Sequence, residues 1–527
     1  MNNVKVYLPT QLAGLLDAET YPHPTSAIRV IETHISWVIL TGEYAYKIKR
    51  PVKFSFLDFT TLAQREFFCR EELRLNQRFA PHMYVDVCPI VRRGTQLQMN
   101  GAGEALEFAV RMRQFDPTCE LGILLENGHV TIEEIVAFGN SLSANHASLP
   151  CMPSNLEPGR TRGILLDNAR ECLEATRDDA SRESVRQCAW WLRDELQRLQ
   201  ELLVTRDGRG FVRECHGDLH ASNVARIDGR LLAFDCLEFN EEFRRIDIAQ
   251  EVAFLTMDLC AYGRATLASA FVNAWLLATG DYQACECLNL YEAHYALVRA
   301  KVGALAATRA DGRERNAAMN RQHVFVGIAA ARLHRKPPLL ILMHGLSGSG
   351  KSWLAERLAR ELPAIHIRSD VERKRLAGLQ KLEPSHSGIA SELYAADQTE
   401  RVYQRLNQCA HHALNGARMA IVDASFLQRS ARQQFVSLAA ELGLRIVTVA
   451  CEAPGAMLKA RIETRTSTGL DPSEANVEVL DWQRRQLEPV VADEHLPVID
   501  AHTERSTVLH DVLTQLQIHV ADCGISG

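Results

Sequence analysis

The chain has 527 residues, 46% of them hydrophobic and 24% charged, with a formal net charge of −6. Such a length exceeds one hydrophobic core and predicts roughly two to four domains, while the mild acidity argues against a general binder of nucleic acid or anionic membrane. No apolar run approaches the roughly 18–20 residues that span a bilayer, and Met1–Thr10 lacks the charged-then-apolar layout of a secretory signal, so a soluble, cytoplasmic protein is expected.

Ala27 to Leu40 is rich in Val, Ile and Thr and reads as β; Thr41-Gly42-Glu43 turns the chain, and Tyr44 to Ile48 returns as a second strand. From Thr61 to Ala80 the period becomes helical, with Phe67, Phe68, Leu73, Leu75 and Phe79 set among charges. Strands are expected at 83–92 and 106–113, then helices over Glu120–Ala147 and Thr161–Val204, the latter striped by Trp190, Trp191, Leu196 and Leu199. Arg245 to Leu333 reads as mostly helical. His334-Arg335-Lys336-Pro337-Pro338 has linker chemistry, since neither proline continues a helix.

Beyond it, Leu339 to His344 is a continuous apolar run, as in a strand buried on both faces. A helix at 352–362 stops before Pro363. Strands at 364–369, 418–423, 444–451 and 496–501 alternate with helices at 394–415, 429–441, 454–468 and 473–487, the pattern of a doubly wound parallel sheet. The expected organisation is therefore an α+β domain over 1–333, a linker at 334–338 and an α/β domain over 339–527. The 14 cysteines show no C-x-x-C pair and read as reduced core thiols.

Gly345-Leu346-Ser347-Gly348-Ser349-Gly350-Lys351-Ser352 completes the pattern G-x-x-x-x-G-K-[ST], between a strand and a helix. Glycines let main-chain N–H groups wrap a phosphate at a helix N-terminus; Lys351 supplies charge for the β- and γ-phosphates, and the Ser352 hydroxyl a ligand for Mg²⁺. Asp370 and Asp423 fall at the carboxyl ends of the next strands, where one can accept a proton and the other hold the Mg²⁺ shell; the plainer reading of each is a helix N-cap. Arg373 can clamp a polar substrate. Arg461 and Arg465 lie one turn apart on one helix face, either as lid groups that reach a transferring phosphate or as a solvated pair.

A second set precedes the linker: His216-Gly217-Asp218-Leu219-His220-Ala221-Ser222-Asn223, then Phe234-Asp235. Asp228-Gly229 between two apolar runs is a hairpin signal. With a two-residue turn there, Ile227 pairs with Arg230, and counting outward sets Asn223 across from Phe234 and beside Asp235. An amide oxygen and a carboxylate then meet as hard ligands for Mg²⁺, with Asp218 placed to accept a hydroxyl proton.

Residues 339–515 resemble the small P-loop kinases that include gluconate kinase, polynucleotide kinase and zeta-toxin-like enzymes, on the loop Gly345–Ser352, Ser369-Asp370 with Arg373, Asp423 and Arg461/Arg465. The resemblance implies that Asp370 activates the acceptor hydroxyl and that the arginines close over phosphate. His216-x-Asp218 with Asn223 and Asp235, and Gly217 where protein kinases carry Arg, resembles the aminoglycoside phosphotransferase and choline-kinase-like superfamily, and implies a bilobal, protein-kinase-like fold. By that likeness Asp218 is the catalytic base and Asn223 and Asp235 are metal ligands. Lys47, or Lys49, grips the α/β-phosphates and pairs with Glu72, or Glu71. Asp247 braces the catalytic loop and His216 orders its backbone. No G-x-G-x-x-G loop precedes Lys47.

The whole chain is similar to bacterial fused aminoglycoside phosphotransferase and ATP-binding proteins, on segments such as Glu214–His220 and Arg368–Arg375. The implied activity is a bifunctional, ATP- and Mg²⁺-dependent kinase acting on small-molecule hydroxyls. Two other readings stand beside it. One is a nucleotide-gated regulatory protein with one degenerate domain; the other is a nucleic-acid end kinase, for which Arg373-Lys374-Arg375 is the local basic cluster. Acceptors and oligomeric state are left open.

Overall fold

The computed structural model describes residues 8–54, 57–152, 159–334, 337–381, 383, 396–468 and 471–521. Arg335 and Lys336 of the expected linker, and most of the N-terminal segment read for a signal, lie outside them. The chain forms two compact units, the first from Met1–Glu134, Ala144–Pro158 and Glu201–Leu255, the second from Ile135–Ser143, Gly159–Gln200 and Thr256–Gly527. Helices on the N-terminal side of the expected linker thus belong to the same unit as the glycine-rich loop.

The first unit is built on a six-stranded antiparallel sheet, ordered Arg29–Glu32, Ser36–Leu40, Tyr44–Lys49, Ala105–Arg113, Tyr84–Arg93, Gln96–Met99. Ala27–Leu40 is not one strand but two: the Thr33 hydroxyl accepts the Ser36 N–H at 2.9 Å and folds the chain back at that point. Side chains alternate across the sheet. Tyr46 and Ile48 join a core with Trp37, Ile39, Cys88 and Ile90. Ala45 faces the other way, onto Cys69 of the helix Leu62–Asn76. Period two therefore sends Lys47 and Lys49 toward that same helix.

Glu120–Ala147 also differs from the expected single helix. It is Leu121–Glu126 and Ile132–Ser148, parted at Asn127-Gly128 and restarted by a capping box between Thr131 and Glu134. Thr161–Val204 falls in three helices, Gly159–Ala175, Asp179–Arg198 and Gln200–Gly208; the Asp178 carboxylate caps the second through Ser181 N–H at 2.8 Å.

The second unit carries a five-stranded, wholly parallel sheet in the order Ile365–Arg368, Ala420–Asp423, Leu339–His344, Arg445–Glu452, Val498–His502. This is the doubly wound sheet expected. Leu339–Met343 are buried, as a central strand covered on both faces requires. Helices Lys351–Glu361 and Val508–Ala521 pack on its core through Leu354, Leu358, Val512 and Leu516. The helix Ala265–Thr279 is buried from Leu267 to Leu276. No described helix is long and apolar enough to cross a membrane, and the described cysteines are free thiols, most of them buried.

Candidate active sites

The hairpin forms as counted. Asp228 and Gly229 both adopt left-handed backbone, at φ 49° and 76°, as a tight two-residue turn demands. Pairing runs from Ile227↔Arg230 to Val224↔Ala233, and Phe234 N–H donates to Asn223 O at 2.9 Å. Asp235 follows beside Asn223. The Asn223 amide donates from Nδ2 to the main-chain oxygen and to Oδ2 of Asp218, at 2.9 and 3.0 Å. Asn223 is buried, while the side chains of Asp218 and Asp235 are 41% and 43% exposed and thus open to a ligand.

Both candidate lysines meet this site, in different ways. Lys47 Nζ lies 2.8 Å from Glu72 Oε1 and is also bonded to the Asp235 carboxylate. Lys49 is fully buried between the other Glu72 oxygen and Glu238. Glu71 turns away, to Arg74 at 2.8 Å and Arg244 at 3.5 Å. Burial alone would lower Lys47, but the carboxylates of Asp235 and Glu72 outweigh it and hold the ammonium well above its ordinary range. Burial likewise raises Glu72, and Lys47 and Lys49 overcome it, bringing the carboxyl down to about 2. A cation already sits against Asp235, and the donor set around it is hard oxygen, which suits Mg²⁺.

The loop bearing Asp218 is held from below. His216 is buried; its Nδ1 accepts the Asp218 N–H at 3.3 Å, so Nε2 carries the proton donated to Phe234 O at 2.8 Å. Burial lowers the pKa of this ring against the pull of Glu251. Glu251 Oε1 accepts the N–H groups of His216 and Gly217, and Oε2 meets His146 Nε2 at 2.7 Å. Asp247, expected to brace the loop, instead takes a bidentate contact from Arg206 at 2.6 and 2.9 Å and caps the next helix through Ala249 N–H.

The residue beneath the loop is thus Glu251, one turn further along. Its signal in the sequence is an acid in the first turn of the otherwise apolar helix Ile248–Ala261, which carries only one other, Asp258. His146, Cys215 and Glu251 bring ligand atoms within 4.8 Å of one another, but both oxygens of that carboxylate are engaged with the loop and His146. Gly217 sits at φ 84°, where a Cβ would lie 3.1 Å from Phe243 O. An arginine cannot occupy this position without strain.

In the second unit the glycine-rich loop joins the central strand to the helix Lys351–Glu361, which Ser352 enters one residue after Lys351. Gly348 has φ 81°, and a Cβ there would stand 2.5 Å from Leu458 O. Lys351 Nζ donates to Leu346 O at 3.0 Å, folded over its own loop. Burial lowers its pKa, and the Asp423 charge offsets this only in part. Ser349 Oγ is buried with no bonding partner among the described residues, and Ser347 N–H donates to Gln483 Oε1 at 2.8 Å. A glycine cradle, a lysine and an orphan hydroxyl fit a phosphate.

Asp423 ends its strand and is buried, 3.3 Å from His366 Nε2 and 3.8 Å from Arg368 Nε, its cross-strand partner. Burial raises its pKa; His366, Arg368 and Lys351 bring it down to about 2. Asp370 does not end a strand. The strand stops at Arg368, and Asp370 lies in the first turn of the helix Ser369–Leu376, within electrostatic reach of Lys351 and Arg368. Arg373 follows on the same helix, near Tyr403.

The arginine pair of the helix Gly455–Thr468 divides. Arg461 bonds Gly348 O at 3.3 Å and Thr503 Oγ1 at 2.8 Å, bracing the loop, while Arg465 donates to Ala475 O at 2.6 Å and bears electrostatically on Lys351. Of the basic cluster, Lys374 pairs with Glu474 at 2.8 Å and Arg375 with Leu277 O at 2.6 Å, so both cations are engaged within the unit.

Residues 340–490 match a family model described as an AAA domain. Over 447 residues the chain is 28% identical to an uncharacterized protein of Mycobacterium tuberculosis, covering 84% of this chain and 87% of that one. Among solved structures it is similar to a choline/ethanolamine kinase family protein from Mesorhizobium loti (13% identity, TM-score 0.36, 59% of this chain and 95% of that chain). It is also similar to a gluconokinase from Sinorhizobium meliloti 1021 (20% identity, TM-score 0.26, 36% and 97%).

Proposed function

We propose that the protein is an ATP-dependent kinase with two Mg·ATP sites, each transferring the γ-phosphate to a hydroxyl of a small molecule. One observation carries this reading: a lysine ammonium, hard-oxygen ligands and a further carboxylate gather twice, on unrelated scaffolds. In the first unit these are Lys47, Asn223 with Asp235, and Asp218. In the second they are Lys351, Ser352 with Asp423, and Asp370.

At each site the bond from the γ-phosphorus to the β-phosphate oxygen breaks as a bond to the acceptor oxygen forms. The hydroxyl proton passes to Asp218 or Asp370. When bound, Mg²⁺ supplies charge neutralisation for the phosphates. The residues contribute position: Glu72 aims Lys47, Glu251 and His216 hold the Asp218 loop, and Arg461 holds the glycine-rich loop.

The test is ATP turnover by the full chain carrying Asp218→Ala and Lys351→Ala, singly and together, with a metabolite and sugar library screened for a mass gain of one phosphate. Each single change should remove one part of the turnover and the double change all of it. Turnover that survives the double change ends the proposal.

A further inference from the structure

In the second unit the strand Ile365–Arg368 forms one edge of the parallel sheet, with Ala420–Asp423 on its inner side. Ile365 N–H points inward, to Met419 O at 2.8 Å. Backbone groups alternate along a strand, so Ala364 C=O and His366 N–H point off the free edge, the position that another strand ordinarily fills. Here one side chain fills it. Asn273 donates from Nδ2 to Ala364 O at 2.9 Å and accepts His366 N–H on Oδ1 at 2.7 Å. A primary amide thus takes the place of a neighbouring peptide group.

The helix that supplies it, Ala265–Thr279, precedes the expected linker in sequence and is fastened to the same unit at other points. Ser269 Oγ donates to Ala359 O at 2.8 Å, near the end of the helix that begins at Lys351. Arg375 and Arg405 donate to Leu277 O and Gly280 O, at 2.6 and 2.7 Å. Only Asn273 of these grips the strand itself.

The grip bears on the candidate chemistry. His366, whose N–H Asn273 holds, turns its ring to Asp423, and Arg368 on the same face is the direct cross-strand partner of Asp423. We propose that Asn273 is a positioning residue of the glycine-rich-loop site, setting the Asp423 carboxylate through the main chain of Ala364–His366 and the imidazole of His366. This rests on the kinase reading of that site. Groups that orient a ligand from behind commonly govern metal affinity without touching the metal.

The experiment uses the full chain with Asp218→Ala and Asp235→Ala together as parent, so that the other site lacks both its proton acceptor and a metal ligand. Mg²⁺ is titrated calorimetrically in the presence of ADP and, in parallel, against ATP turnover; hydrogen exchange of the amides of 364–368 is followed without nucleotide. Asn273→Ala should raise the half-saturating Mg²⁺ concentration by roughly tenfold in both titrations and speed exchange at His366. Ser269→Ala removes the bond to Ala359 O and the longer one that Ser269 Oγ accepts from Asn273 Nδ2 at 3.3 Å, but keeps both bonds of Asn273 to the strand; it should lower the melting temperature and leave the Mg²⁺ requirement at the parent value. An unchanged Mg²⁺ requirement in Asn273→Ala, or an equal rise in Ser269→Ala, overturns the proposal. If Lys351→Ala in the same parent alters neither ADP binding nor turnover, the kinase reading of this site falls, and the proposal with it.

Discussion

The Asn223 amide nitrogen is bonded to both the main-chain oxygen and the carboxylate of Asp218. The nitrogen side of the amide is therefore committed, and Asn223 can meet a cation only through Oδ1. Asn223→Asp would replace this donor with an oxygen about 3 Å from the Asp218 carboxylate, where two negative charges cannot both persist. In a Lys351→Ala background this variant should lose roughly 100-fold or more in turnover, on the scale of losing a positioned general base. Turnover within twofold of the parent would remove Asp218 and Asn223 from the chemistry.

Lys47 and Lys49 should separate when each is changed to Met. Lys47 borders the half-exposed Asp235, so Lys47→Met should weaken ATP binding at the first site with a modest loss of stability. Lys49 is buried against Glu72 and Glu238; removing it strands Glu238 without its cation and should cost about 3–5 kcal/mol of stability. Denaturant melts alongside ATP titrations check this. Equal destabilisation by both changes would contradict the division of roles.

The two phosphate-handling loops each depend on a glycine with left-handed backbone. Gly217→Ala, facing Phe243 O, and Gly348→Ala, facing Leu458 O, should each cost roughly 1–3 kcal/mol through strain. Each should also abolish turnover at its own site while sparing the other. Kinetics in the Lys351→Ala and Asp218→Ala backgrounds assign the losses.

Glu214 gathers Arg74 at 2.8 Å, and Arg78 and Arg244 at 3.1 Å. Burial raises its pKa, but these guanidinium groups prevail and bring it from 4.5 to about 2. A folded-state pKa below the unfolded one gives stability that is complete above about pH 4.5 and lost as pH falls toward 2. The melting-temperature gap between the wild-type protein and Glu214→Gln should therefore be widest above pH 5 and shrink by pH 3. A gap that is constant across that range would show that the Glu214 charge does not contribute.

The parts of both sites that were legible early are those built from near neighbours. The turn at Asp228-Gly229 sets the register that brings Asp235 beside Asn223 within a dozen residues, and the glycine spacing of 345–352 dictates a cradle between strand and helix. Lys47 against Lys49 was not decidable, because a period of two sends both to one face; only the packing of the helix Leu62–Asn76 shows that Glu72 meets both. The strand expected to end at Asp370 falls short by two residues: the apolar alternation of Ile365–Asp370 stops at Ile367, and the polar Arg368-Ser369-Asp370 leaves the boundary unmarked until the helix Ser369–Leu376 sets it.

By itself the sequence determined two phosphate-handling constellations, the parallel sheet beneath one and the hairpin beneath the other, since backbone handedness and strand period act over a few residues. Tertiary structure alone decided that Glu251 underlies the Asp218 loop, that Glu238 neutralises Lys49, and that Asn273 closes a sheet edge far along the chain. Those pairings arise because a polar group removed from water must find a partner wherever the fold brings one, and sequence distance leaves no periodic trace of it.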